Sequence, residues 1–216
     1  MKCRLLVLFF LCILILKSNA SAATGPEVPG EEVGIDSLYA RFAHNKQFDS
    51  AMFDASLLAI RYYPELANTA IEFRHKDIPT LMAARPTIWS VFRKKENRKY
   101  RIIISTNAQN RSEQIFRNMS RASRIGILGH EYAHIIDYEN LTSPGLILFG
   151  IRYLFSKKKI ECSTDRVAIE RGLGTEVLEF TRQIEKSRLP SDRYLRRKDK
   201  YYLSKVEIEH LVSKSF

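Results

Sequence analysis

The clearest chemistry in the chain is carried by His130-Glu131-Tyr132-Ala133-His134. Two imidazoles four positions apart leave one face of a helix, about 40° apart around the axis and about 6 Å apart along it. That spacing lets both grip one Zn²⁺. Glu131 projects beside them, where it can take a proton from water activated at the metal. The chain has 5 His, so this order of residue types rarely arises by chance.

A catalytic zinc needs a third protein ligand and an open fourth position. Asp137 lies on nearly the same face, but a straight helix carries it about 4.5 Å past the metal. No glycine breaks the chain between His134 and Gly145. Asp137 and Glu139 are therefore expected to shape the cleft or face solvent. Glu161 and Asp165 are four apart, on one face of the following helical segment. One can ligate while the other fixes an imidazole through its second ring nitrogen. Spacing alone leaves open which does which. Cys162 points about 100° away from Glu161 and is expected to be a small buried residue.

These two motifs, with Glu161-Cys162-Ser163-Thr164-Asp165 as the second, resemble the gluzincin metallopeptidases, which carry H-E-x-x-H on one helix and E-x-x-x-D on the next. They are most similar to the minigluzincin-like and CAAX-prenyl-protease-like branches, whose second motif often reads E-x-x-A-D. The resemblance covers about residues 88–172. It implies that His130, His134 and Glu161 bind zinc, that Asp165 pairs with a motif histidine, and that Glu131 is the general base. It also implies a zincin-like α+β fold, with a small edge sheet or hairpin packed on the active-site helix and a following glutamate helix. Thr164 stands where the branch usually has Ala, a departure expected to matter little. An extended peptide would add to an edge strand expected within Tyr100 to Ser105. The membrane-bound branch has several spanning helices. Here Leu146 to Ile151 is apolar, but Arg152 interrupts it.

The elements that must position these residues are legible in part. Apolar residues from Ile35 to Tyr63 recur at helical spacing, and Pro64 ends the run. Ile71 to Arg74 reads as a short strand, and Pro79 and Pro86 bracket a segment around Leu81 and Met82. Trp89 to Phe92 and Tyr100 to Ser105 read as a β-hairpin with a charged turn. Helix resumes from Ser112, with Ile125, Leu128, Tyr132, Ile135 and Ile136 on its apolar face. Ser143-Pro144 reads as a cap and first turn of the next helix. A helix continuous to Arg171 and one with an irregular join near Ser156 both fit. Gly172-Leu173-Gly174 is a stop signal. Thr175 to Lys186 is helical, and Ser204 to Glu207 forms a capping box for a last short helix.

The chain has 216 residues, 45% hydrophobic and 27% charged, which excludes a disordered or collagen-like polymer. Lys2 and Arg4, the apolar run Leu5 to Leu16 and Ala20-Ser21-Ala22 predict a secretory signal peptide cleaved near Ala22. The run is shorter than the about 20 residues that a membrane span needs, which favours a cleaved signal over the alternative of an uncleaved anchor; no span is expected in the mature chain. The divisions expected are a signal peptide over 1–22, a linker over 23–34, a zincin-like domain over 35–187 and a basic segment over 188–216. Only Cys162 lies beyond the signal, so the mature chain forms no internal disulfide. The formal charge of +11 favours anionic partners. Lys186 to Lys205, rich in Lys, Arg and Tyr, could meet an anionic surface or polymer. No nucleic-acid motif accompanies it. Tyr201, Tyr202, His210 and Arg166 are candidates to steady a tetrahedral intermediate.

The expectation is an exported zinc-dependent metallopeptidase acting on a peptide or protein substrate in the secreted or envelope compartment. One alternative is a zincin-fold binding or assembly factor without turnover. Another is an anionic-surface binder acting through the basic tail.

Overall fold

The computed structural model describes residues 34–214. The predicted signal peptide and all of the predicted linker except Gly34 lie outside the described residues. The fold is α+β. In chain order the elements are α1 (Ile35–Phe42), β1 (Lys46–Gln47), α2 (Phe53–Ile60), β2 (Ala70–Lys76), β3 (Met82–Pro86), β4 (Lys99–Ser105), α3 (Ser112–Asn118), α4 (Arg121–Glu139), α5 (Ser143–Ala168), α6 (Gly174–Lys186), α7 (Asp192–Tyr201) and α8 (Lys205–Lys214).

The organising element is α4. Ser120 caps it, its Oγ accepting the Ser123 N–H at 3.1 Å. Every residue from Gly126 to Ile136 is buried. A helix buried all round must be covered all round. Here α2, α5, α6 and β3 cover it. The contact with α6 is close enough to require glycine. A Cβ on Gly126 would stand 2.2 Å from the Glu176 carbonyl oxygen.

The four-stranded sheet has the order β1-β2-β4-β3. β2 and β4 run parallel, with Phe73 opposite Ile102, and β3 runs antiparallel to β4, with Ala84 opposite Ile102. β4 is central, and Ile102, Ile103 and Ile104 are buried. Its β-branched run suits a strand paired on both sides.

The predicted hairpin is therefore corrected. Trp89 to Phe92 is part of a 3₁₀ turn, Ile88–Phe92, and β4 pairs with β3 instead. The Ser90 hydroxyl explains this. It donates to the Lys99 carbonyl at 2.9 Å and accepts the Lys99 N–H at 2.7 Å, standing in for a strand partner. β3 supplies the alternating inward residues that a strand needs, Met82 and Ala84. The expected edge strand within Tyr100 to Ser105 is likewise corrected: β4 is internal, and β3 is the edge.

The long helix expected from Ile35 to Tyr63 is interrupted. Asn45 adopts a left-handed conformation at φ 62°, and the chain makes β1 before resuming as α2. The cap of α5 is Thr142 rather than Ser143, with the Thr142 Oγ1 accepting the Gly145 N–H at 3.3 Å. Of the two forms allowed for the next helix, the broken one holds. Ser156 departs from helical geometry at φ −123° and ψ 28°. The Gly172 stop is present, with φ +96°, where a side chain would be strained. In the capping box before α8, the Ser204 N–H donates to Glu207 Oε2 at 2.8 Å and the Glu207 N–H to Ser204 Oγ at 3.3 Å. α7 packs against α5, and α8 against α6.

Candidate metal centre

α4 presents His130, Glu131 and His134, and the second half of α5 presents Glu161, Thr164 and Asp165. All six are buried. His130, His134 and Glu161 each offer a ligand atom, and these atoms lie within 4.8 Å of one another. They form a buried group able to hold a metal ion. His130 Nε2 and His134 Nε2 are 3.2 and 3.3 Å from Glu161 Oε2.

The remote ring nitrogens are also engaged. His130 Nδ1 lies 2.7 Å from Asp165 Oδ1, and Asp165 Oδ2 accepts the Leu203 N–H at 3.0 Å. His134 Nδ1 lies 3.3 Å from Thr164 Oγ1, whose own proton goes to the Ile160 carbonyl at 3.0 Å. Both partners accept, so each Nδ1 carries a proton; each Nε2 hydrogen-bonds to the Glu161 carboxylate and would give its lone pair to a metal ion bound between them.

Thr164 thus has a definite contact, where it was expected to matter little. Asp137 is outside the ligand group, and Glu139 lies 3.9 Å from Lys95. Cys162 is turned away, with its Sγ against the Tyr201 carbonyl at 3.5 Å.

Burial opposes charge on His130, but the carboxylates of Asp165 and Glu161 outweigh it and raise its pKa well above the ordinary value. Burial likewise opposes the Glu161 carboxylate, yet hydrogen bonds from both histidines hold its pKa below the usual range. Glu131 is shifted the other way, because burial raises its pKa more than the histidines lower it. The Glu161 carboxyl is thus held ionised, while that of Glu131 is made more basic.

The edge strand reaches this centre through Ala84. Its N–H donates to Glu131 Oε2 at 2.5 Å, and its carbonyl accepts the Tyr138 hydroxyl at 3.2 Å. β3 and the first half of α5 form the walls of a cleft of about 470 Å³, with His130, Glu131, His134 and Glu161 in its lining.

Of the four candidates for steadying an intermediate, Tyr202 lines the cleft, its ring 5.6 Å from that of His130. Tyr201, His210 and Arg166 are not in the lining, and the last two are exposed. Tyr153, Lys157 and Arg197 do line it and were not singled out from the sequence. The Tyr153 hydroxyl donates to Glu161 Oε1, and Lys157 Nζ stands 3.7 Å from the same oxygen. Arg197 has a buried Nε without a hydrogen-bond partner. The break at Ser156 brings in Tyr153 and the return of the chain through α7 brings in Arg197, whereas Lys157 stands one turn before Glu161 on the same segment. Compared with protein-family models, curated proteins and solved structures, the chain gives no match.

Proposed function

We propose that the chain is an exported, zinc-dependent metallopeptidase of the gluzincin type. The observation that carries this reading is the convergence of His130, His134 and Glu161 within 4.8 Å, beside Glu131, at the wall of a cleft. Two imidazole nitrogens and one carboxylate are a donor set that suits zinc and leaves a position open. When bound, zinc would polarise a peptide carbonyl and bring the pKa of water near neutrality.

The protein's own residues account for the rest. Asp165 and Thr164 hold the two imidazoles in the tautomer that exposes Nε2. Glu131, made more basic by burial, takes a proton at its free carboxylate oxygen and returns it to the leaving amine. A peptide adding to β3 as a strand takes over the outward N–H and carbonyl of Ala84, which Glu131 and Tyr138 hold in its absence. Tyr202 and Arg197 stand on the cleft wall as donors for developing charge.

A zincin-fold binder without turnover is the second reading. Zinc content and hydrolysis of an unstructured protein substrate separate the two. Glu131→Gln should cut hydrolysis by about 10²–10⁴-fold while keeping zinc. Glu161→Ala should lose zinc, and Asp137→Asn should keep it. Full zinc occupancy with no hydrolysis by the wild-type chain would favour the binder. Retention of zinc by Glu161→Ala would overturn the ligand set.

A further inference from the structure

The half of α5 before Ser156 has two opposed faces. Leu146, Phe149 and Tyr153 line the cleft. Ile147, Leu148, Ile151 and Phe155 fall within an arc of about 100° on the other side, and Leu154 stands at the border, where it also lines the cleft. All five are exposed, Leu154 at 76% and Phe155 at 85%. The 3₁₀ turn Ile88–Phe92 packs against this helix. It adds Ile88, Trp89 and Phe92, each more than 70% exposed, while Ser90 is buried and Val91 packs on the core.

A water-facing helix surface is normally polar. An apolar patch this broad, with a polar rim, marks an interaction site. The rim is of one sign. Arg93, Lys94 and Lys95 follow Phe92, and Arg152, Lys158 and Lys159 flank the helical stripe; all are exposed. No acid occurs from Thr142 to Ile160, and Glu96 is the one acid from Pro86 to Arg98.

We propose that this face docks on an anionic lipid bilayer, its aromatic and aliphatic side chains entering the headgroup region and its basic rim meeting the phosphates. Trp and Phe beside Lys and Arg are the composition that lies in a membrane interface. Charge argues against a second copy as the occupant, because apposed faces would bring two basic rims together. No helix among the described residues is long and apolar enough to cross a membrane, so the face lies on the bilayer. The surface differs from the basic segment after Lys186, where Lys198 is buried against Glu185 and Arg197 faces the cleft.

The chain has a single tryptophan, so Trp89 reports on this face alone. That matters because the apolar run near the N-terminus could hold the full chain on vesicles by itself. The full chain is mixed with vesicles of phosphatidylcholine, with or without phosphatidylglycerol, that carry brominated acyl chains. Trp89 emission should shift blue and be quenched on the anionic vesicles only. Leu148→Ser combined with Ile151→Ser and Phe155→Ser should weaken that response at least about tenfold. Arg93→Glu with Lys94→Glu should weaken it by a similar factor. Circular dichroism confirms that each variant is folded. Trp89 that stays unquenched on anionic vesicles overturns the proposal, as does equal quenching on neutral ones. So does full quenching of the folded triple variant. A blue shift that grows with protein concentration without vesicles would assign the face to self-association instead.

Discussion

Asp165 and Thr164 perform parallel tasks with unequal chemistry, so their removal should weaken metal binding unequally. Asp165 gives one oxygen to His130 Nδ1 at 2.7 Å and the other to the Leu203 N–H at 3.0 Å. In Asp165→Asn, one acceptor becomes a donor. The Leu203 amide is fixed in the backbone and cannot change its character. His130 can, by keeping its proton on Nε2, but that removes the lone pair it would give to a metal ion. The loss is a hydrogen bond to a charged group, about 1.5–3 kcal/mol, or roughly 10- to 150-fold in metal dissociation constant. Thr164→Val keeps shape and removes only a neutral acceptor from His134 at 3.3 Å. A neutral bond contributes about 0.5–1.5 kcal/mol, or roughly 2- to 10-fold. Competition between the protein and a chromophoric zinc chelator at fixed pH measures both, with circular dichroism as the check on folding. Thr164→Val weaker than Asp165→Asn, or Asp165→Asn within twofold of wild type, would refute this account of how the imidazoles are held.

Gly126→Ala should destabilise the fold by about 1–3 kcal/mol or more, read as a lower unfolding temperature, because its Cβ meets the Glu176 backbone at 2.2 Å and neither helix can yield locally. Unchanged unfolding would mean that α4 and α6 are further apart than described. Glu72 gives an acid-sensitive contribution. Burial raises its pKa, but Lys99, Arg101 and Arg74 outweigh this and hold it at about 2, below the roughly 4.3 of an unfolded chain. Its stabilisation is complete above the unfolded value and disappears as pH falls from about 4.5 toward about 2. The three cations are partly exposed, so solvent screening reduces the contribution to about 1–2 kcal/mol. Urea titrations across that window should show a steeper loss for wild type than for Glu72→Gln; parallel losses would exclude Glu72 as the source.

The legible parts of the centre are those set by helical period. His130 and His134 repeat at one turn, as do Glu161 and Asp165, and each pair shares a face whatever the tertiary structure does. The Gly172 stop and the Ser204 box were legible because they are local backbone chemistry. The strand pairing was not. Trp89 and Phe92 are good strand residues, yet the Ser90 hydroxyl satisfies the start of β4 and leaves both rings in solvent. Tyr153 was equally hidden. It lies eight positions before Glu161, beyond the reach of a one-turn rule, and touches it across the break at Ser156. Tyr202 reaches His130 because the chain after α7 is tied to Asp165 through Leu203, a contact 38 positions apart in sequence. Thr164 sits within the motif and bonds its own helix at the Ile160 carbonyl, but only the position of His134 on the neighbouring helix gives its hydroxyl oxygen a donor.

The passage from α5 to α6 contains no free loop. The chain runs from Ala168 through a π-turn, Ile169–Leu173, directly into Gly174, with a single left-handed residue at Gly172. The two helices therefore mesh like gears on one shaft. One residue inserted there would turn α6 by about 100° and advance it about 1.5 Å. Val177, Leu178 and Ile184 would rotate off the core together, and the backbone of Glu176 would leave Gly126. The exposed tip at Ala108 and Gln109 imposes no such phase. Length variation and the insertion of a reporter domain are thus open at that tip and closed at the π-turn, where the spacing of the residues is itself the constraint.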